Sequence, residues 1–225
     1  MTKQLVLFCD FDGTITEKDN IVAIMRHFHP PGWEELTEQI LTQQISIREG
    51  VGKLFSLLPS SLEHEITQFA VENARIRPGF AEFVDYCRQE NVTLLITSGG
   101  IDFFVHPILA PFQLDGPIYC NGSDFSKERI KITWPHTCDE HCQTDCGMCK
   151  TTIIRSYDAT GYTRVVIGDS ITDLAGSRIA DFVIARSFLL EKCQEENLSH
   201  KPFTTFYDVI SIIKAIRAKQ EGIVL

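Results

Sequence analysis

The first eighty residues change hydrophobic period twice. Leu5-Val6-Leu7-Phe8-Cys9 is an unbroken apolar run, the pattern of a strand covered on both faces within a parallel sheet. It stops at Asp10-Phe11-Asp12-Gly13-Thr14. Beyond that polar turn, apolar residues recur at helical spacing, as at Ile21, Ile24, Met25 and Phe28, until Pro30-Pro31-Gly32 interrupts them. Further helical patterns cover residues 33–43, 46–57 and 62–74, with Pro59-Ser60-Ser61 as a break and helix N-cap. No strand-like run occurs in this block.

After Arg77-Pro78-Gly79 the alternation of helix and strand returns. A helix to residue 89 precedes a second buried strand, Val92-Thr93-Leu94-Leu95-Ile96, ending in Thr97-Ser98-Gly99-Gly100. The glycine pair predicts a turn that opens a helix at Ile101 and frees backbone N–H groups. Residues 117–134 predict a small hairpin about Lys127-Glu128. Arg164-Val165-Val166-Ile167 is a third buried strand, running into Gly168-Asp169-Ser170-Ile171-Thr172-Asp173. Phe182-Val183-Ile184-Ala185 is a fourth, followed by helical patterns to the end. Strands alternating with helices predict an α/β fold, a doubly wound, mostly parallel sheet. Residues 16–76 separate two strands that both end in ligand-suited polar residues. They therefore predict a helical insertion into a core built from residues 1–15 and 77–225.

Composition narrows the class of ligand. A formal net charge of −9 with no dense Lys/Arg run argues against a nucleic-acid partner. No apolar stretch approaches the roughly 18 residues of a membrane span, and no signal peptide is visible. The expectation is a cytoplasmic chain with reduced thiols and no membrane partner. A small phosphorylated metabolite stays compatible with an acidic surface, because one cation, one lysine and a few N–H groups suffice to hold a phosphate. Oligomeric state stays open between monomer and homodimer.

Open α/β sheets bind ligands beyond the carboxyl ends of their strands, where Asp10 and Asp12 fall. Two carboxylates this close call for a shared proton or a bound metal, the plain alternative being a turn with a helix-capping aspartate. Asp169 and Asp173 add two acids at another strand end, while Ser98, Gly99, Gly100 and Lys150 supply donors. These are the parts of a phosphoryl-transfer site. One aspartate can take up the phosphoryl group while a second protonates the leaving group and then activates water.

The ordered set of Asp10-Phe11-Asp12-Gly13-Thr14, Ser98, Lys150 and Gly168-Asp169 with Asp173 resembles the four motifs of the haloacid dehalogenase superfamily. The resemblance implies a Rossmann-like core, Asp10 as nucleophile and Asp12 as general acid/base. It implies Mg²⁺ bound by Asp10, the backbone carbonyl of Asp12 and Asp169, with Asp173 close by. Ser98 and Lys150, helped by Gly99 and Gly100, would hold the phosphoryl oxygens. Presence of the second acid, Asp12, marks the family's phosphatases. The block 16–76 is similar in architecture to the four-helix cap of the phosphoserine phosphatase branch, in which Asp19 would face the substrate's amine. That branch's cap arginine has no counterpart, Arg48 and Lys53 being the nearest basic residues, and Thr172 stands where the branch usually has Asn.

The segments Arg48-Glu49-Gly50-Val51, Leu57-Leu58-Pro59-Ser60-Ser61-Leu62, Ser98-Gly99-Gly100-Ile101-Asp102-Phe103-Phe104-Val105, Tyr119-Cys120-Asn121 and Trp134-Pro135-His136 with Cys149-Lys150 resemble the phosphatases of bacterial methionine salvage. This likeness implies an enol phosphate with a thioether tail as substrate, and a soft apolar pocket to receive it. Met25, Phe28, Trp33, Phe55, Phe103 and Phe104 are candidates for that pocket, with core packing as the alternative. Competing functions are a phosphatase for phosphoserine or another small ester, and a catalytically silent module that senses metal or oxidant.

Cys138, Cys142, Cys146 and Cys149 are spaced x3, x3, x2, with His136 and His141 among them. Three readings are open: a structural tetrathiolate zinc that would fix Lys150, reduced thiols that merely pack, and a disulfide switch. Cys9, Cys87, Cys120 and Cys193 are expected as small core residues, and His27, His29, His64 and His200 as solvated or core histidines.

Overall fold

The computed structural model describes residues 3–220 and Gly222. Among them one sheet is formed by β1 (Gln4–Cys9), β2 (Thr93–Ile101), β3 (Ile118–Asp124), β4 (Lys131–Thr133), β5 (Tyr162–Gly168), β6 (Phe182–Ala185) and β7 (His200–Pro202). Their order is β4-β3-β2-β1-β5-β6-β7, and every pairing is parallel except the β3/β4 hairpin. β1 is central, and Cys9 is in register with Ile96 on one side and Ile167 on the other. The chain thus winds outward from β1 in both directions. Such a switch point leaves a crevice beyond the strand ends, and Asp10 is the first residue past β1.

The unbroken apolar run of β1 follows from burial on both faces. Val6 and Phe8 pack with Leu95, Ile154 and Val166 on one side, while Leu5, Leu7 and Cys9 join the larger cluster around Phe80, Phe83 and Phe206 on the other. The helices covering these faces are α5 (Phe80–Gln89), α6 (Asp102–Leu109), α7 (Lys150–Arg155), α8 (Ile171–Ser177), α9 (Ser187–Glu195) and α10 (Phe206–Gln220). Before them come α1 (Asn20–Phe28), α2 (Trp33–Leu41), α3 (Ile47–Ser56) and α4 (Glu63–Asn73), all between β1 and β2.

Local signals account for the helix boundaries. Asp19 caps α1 by accepting from the Val22 N–H, and Ser46 caps α3 by accepting from the Glu49 N–H. Gly50 lies inside α3 because α2 crosses there: a Cβ on it would come within 2.2 Å of the Ile40 side chain. Thr16 and Ile76 face each other in an isolated bridge where the chain leaves for this helical block and returns. No helix among the described residues is long and apolar enough to cross a membrane.

Three sequence expectations need correction. β2 does not end at Ser98-Gly99-Gly100 but runs on to Ile101, and α6 begins at Asp102. Its pairing with β3 jumps from Thr97↔Tyr119 to Ile101↔Asn121, so the glycines occupy an irregularity inside a strand, where glycine is tolerated. Pro59-Ser60-Ser61 does not cap α4; a 3₁₀ turn at Ser60–Leu62 intervenes, and Leu62 precedes the helix without a side-chain cap. β7 was not expected, because a three-residue edge strand of sequence His-Lys-Pro carries no apolar signal.

Leu7 is fully buried in the central strand. Leu7→Ala should lower stability by about 3 kcal/mol in urea denaturation, the usual cost of a core cavity; a loss under about 1 kcal/mol would contradict this account of the core.

Candidate active site

The ends of β1, β2 and β5 and the starts of α7 and α8 meet at one point. Asp10 extends the ladder one residue past β1, its N–H donating to the Ile167 carbonyl at 2.9 Å. The loop then folds tightly, with the N–H groups of Ile15 and Thr16 both donating to the Phe11 carbonyl. Gly13 has φ +80°, and a Cβ there would lie 2.4 Å from Asp169 Oδ2. Only glycine lets the two loops approach this closely. Thr14 Oγ1 donates to Asp169 Oδ1 at 2.9 Å and joins them.

Lys150 opens α7 and is buried. Its Nζ donates to Asp10 Oδ1 and to Asp173 Oδ1, each at 2.6 Å. Asp173 is held in turn by a capping box: its Oδ2 accepts from the N–H groups of Asp169 and Ser170, both at 3.1 Å. Asp12 Oδ1 accepts from the backbone N–H and the side-chain amide of Asn20, at 2.9 and 2.6 Å. Ser98 is buried, and its Oγ accepts from the Gly100 N–H at 2.9 Å. In this arrangement the Gly100 N–H points back to Ser98. Gly99 lines the crevice, and its carbonyl accepts from the Asn121 amide at 2.8 Å.

Asp10, Asp169 and Asp173 offer oxygens that all lie within 4.8 Å of one another. Burial, and then the neighbouring Asp173, push the Asp10 carboxyl well above its ordinary value, and the same two causes raise Asp169. Burial, with Asp19 nearby, raises Asp12 to about 7. Burial opposes the charge on Lys150, but Asp10 and Asp173 outweigh it and hold the ammonium above its ordinary value. Four carboxylates, two of them buried, outnumber Lys150 and the neighbouring Arg77 and Arg186. A donor set of clustered carboxylate oxygens short of positive charge suits a hard divalent cation such as Mg²⁺.

Above the acids lies a cavity of about 540 Å³. Asp10, Asp12, Gly99 and Asp169 form its floor, while Ile21, Val22, Met25, Ile40, Val51 and Leu54 of α1 to α3 form an apolar wall. Of the six residues considered for an apolar pocket, only Met25 lines it. Phe55, Phe103 and Phe104 stack edge to face in the core, Phe28 packs against Phe69, and Trp33 donates to His29. Asp19 is at the cavity but serves as the α1 cap. Neither basic candidate reaches the cavity: Arg48 pairs with Asp145 at 3.2 Å, and Lys53 with Glu49 at 2.6 Å.

Two arginines escaped the sequence reading. Arg77 is buried and donates to the carbonyls of Thr14 and Gly13 at 2.7 and 2.8 Å; Arg186 donates to the same Gly13 carbonyl at 2.7 Å. Together they clamp the loop that carries Asp10 and Asp12. Arg186 follows β6 directly, and the strand-end rule could have found it; Arg77 leads a Pro-Gly turn and read only as punctuation. The cysteines divide as expected into four buried core residues and the group Cys138, Cys142, Cys146 and Cys149, whose sulfurs come together.

A carboxyl raised by burial keeps in the folded state a proton that the unfolded chain has released. Its stabilisation is therefore present below the unfolded value of about 4 and is lost as pH rises through the folded value, which for Asp12 is about 7. Without divalent cations, the wild type should lose stability relative to Asp12→Asn between these limits. Mg²⁺ should raise the thermal midpoint more at pH 8 than at pH 5, since its carboxylate ligands must be deprotonated. Equal Mg²⁺ shifts at both pH values, read by calorimetry, would rule out the acid cluster as the binding site.

Known proteins resemble this chain in sequence and in fold. The chain is similar to the 2-hydroxy-3-keto-5-methylthiopentenyl-1-phosphate phosphatase of Brevibacillus brevis, with 70% identity over 218 residues, covering 96% of this chain and 98% of that one. It is 56% identical over 216 residues to the protein of the same name from Geobacillus thermodenitrificans, again covering 96% and 98%. Among solved structures, a probable phosphoserine phosphatase from Vibrio cholerae superposes with a TM-score of 0.75 at 18% identity, covering 100% of this chain and 68% of that one. A phospho-aspartyl intermediate analogue of phosphoserine phosphatase gives a TM-score of 0.68 at 19% identity, covering 96% and 99%. These structures share the fold. Residues 7–178 match the profile of the haloacid dehalogenase-like hydrolases, and the chain belongs to that family.

Proposed function

We propose that this protein is a Mg²⁺-dependent phosphomonoesterase of the cytoplasm that converts 2-hydroxy-3-keto-5-methylthiopentenyl-1-phosphate to 1,2-dihydroxy-3-keto-5-methylthiopentene in methionine salvage. The observation that carries the choice of ester is the apolar wall of α1 to α3 standing directly over Asp10 and Asp12. A thioether tail packs against such a wall, whereas an amino-acid substrate would need a cation for its carboxylate. Among the described residues α1 to α3 contribute none; of the two cations that line the cavity, Arg186 donates to the Gly13 carbonyl at 2.7 Å and Lys18 is exposed in the loop before α1. The names of relatives at 70% and 56% identity support the same ester.

In this reading residues 16–76 are a cap on a core of residues 1–15 and 77–225, and its apolar wall keeps bulk water from the reacting phosphate. Lys150 and Ser98, with Gly99 and Gly100 nearby, hold the phosphoryl oxygens. Asp10 attacks phosphorus as the bond to the ester oxygen breaks, and Asp12 gives its proton to that departing oxygen. Asp12 then takes a proton from water as the water attacks the aspartyl phosphate, releasing inorganic phosphate and restoring Asp10. A carboxyl raised to about 7 suits both halves of that exchange near neutral pH. Asp10, the Asp12 carbonyl and Asp169, with Asp173 alongside, would hold Mg²⁺, which when bound supplies positive charge for the phosphoryl oxygens.

Asp10→Asn should lower kcat by at least about a thousandfold, the scale of removing a nucleophile, with an unchanged circular dichroism spectrum. Near-wild-type turnover of an aryl phosphate by that variant would remove Asp10 from the role. The ester is tested by side-by-side turnover with Mg²⁺. The thioether enol phosphate should exceed phosphoserine in kcat/KM by at least about a hundredfold, the scale of a few kcal/mol; preference for phosphoserine would overturn the choice.

A further inference from the structure

Cys138, Cys142, Cys146 and Cys149 take no part in the phosphoryl chemistry, yet their four sulfurs lie within 4.8 Å of one another. The Cys142 and Cys146 sulfurs are 4.0 Å apart. In a tetrahedral tetrathiolate zinc, with Zn–S of about 2.3 Å, the sulfurs stand about 3.8 Å apart. Closing all four onto one ion therefore needs shifts of about an ångström or less. Three of the four are only partly buried, unlike Cys9, Cys87, Cys120 and Cys193, which pack inside the fold. Simple hydrophobic packing does not account for the cluster.

The chain around the thiols supplies a second argument. Residues 134–149 contain no helix or strand, and unstructured connections of this length are uncommon in a core domain without some cross-link or function. This segment nonetheless has two demanding neighbours. At its end, Cys149 directly precedes α7, whose first residue is Lys150. In its middle, Asp145 accepts from Ser46 Oγ at 2.7 Å and from Arg48 Nη1 at 3.2 Å, which ties the segment to α3. Hydroxyls also stand beside the sulfurs: Thr144 Oγ1 is 2.7 Å from Cys146 Sγ and 3.2 Å from Cys142 Sγ, and Thr151 Oγ1 is 3.2 Å from Cys149 Sγ. Such donors suit thiolates that carry charge next to a metal.

We propose that Cys138, Cys142, Cys146 and Cys149 bind one zinc ion as a closed structural site that holds residues 134–149 folded between Lys150 and α3. The four thiols lose their protons on binding, no electrons move, and no coordination position is left for a substrate. The site does not depend on which ester the enzyme hydrolyses.

The test is the metal content of protein made in a reducing cytosol and purified without chelator or added metal. Mass spectrometry of the digested protein should find about one zinc per chain, as a tetrathiolate site requires. An organomercurial should release that zinc in proportion to the thiols it modifies. Cys138→Ser with Cys142→Ser should abolish zinc, whereas Asp10→Asn with Asp169→Asn should retain it, separating the thiols from the acid cluster. Stripping the zinc should open residues 134–149 to limited proteolysis, and adding zinc back should close them. Zinc below about half an equivalent in the wild type, zinc retained by the cysteine variant, or disulfides among these four residues on peptide mapping would each overturn the proposal. The wild-type measurements decide the matter even if the cysteine variant fails to fold.

Discussion

The buried ammonium of Lys150, 2.6 Å from both Asp10 and Asp173, is the contact on which the rest of the site depends. It joins the end of β1 to α7 and α8, elements far apart in sequence. Removing such a charge from water costs several kcal/mol, repaid only when partners surround it closely. Here both partners are themselves restrained, Asp10 by the β-ladder and Asp173 by its capping box. The result is a rigid, negatively charged point at the sheet's switch. Burial, and then Asp173, raise the Asp10 carboxyl against the opposing pull of Lys150, and the fold gains a place where another cation is favourable.

Around that point the molecule separates two tasks. The parallel sheet and its clamping arginines hold the Asp10 to Thr16 loop through bonds to the carbonyls of Gly13 and Thr14. Backbone acceptors of this kind tolerate little displacement, which suits reacting groups. The helical block makes few polar contacts with the acids beyond Asn20 and presents aliphatic side chains to the cavity instead. Apolar walls discriminate by shape and dryness and can diverge without disturbing the acids below. Solved phosphoserine phosphatases superpose on this chain at under 20% identity, as expected where one fold serves several esters.

How much could be read from the chain depended on the range of the interaction. The strands β1, β2, β5 and β6 were legible because burial on both faces demands continuous apolar residues. Asp10, Asp12, Asp169 and Asp173 were legible as candidates because they follow such runs directly. The glycine pair in β2 misled, since a bulge and a strand-to-helix turn both favour glycine and only the shifted pairing with β3 distinguishes them. β7 was silent because an exposed edge strand needs no apolar side chains. For the aromatic residues the sequence left pocket and core packing both open, and the structure places them in the core: helical spacing says that a side chain faces inward, not whether it meets core or cavity.

By itself, the sequence determined the α/β architecture, the position of the helical block and the identity of the clustered acids, since each is written in local periodicity or in a motif a few residues long. Tertiary structure alone decided that Lys150 bridges Asp10 and Asp173, that Arg77 and Arg186 clamp the same carbonyl, that α1 to α3 rather than the aromatic residues wall the cavity, and that four cysteine sulfurs converge. Those contacts join residues up to 173 positions apart. Their existence depends on the three-dimensional winding of the sheet, which no local window of sequence contains.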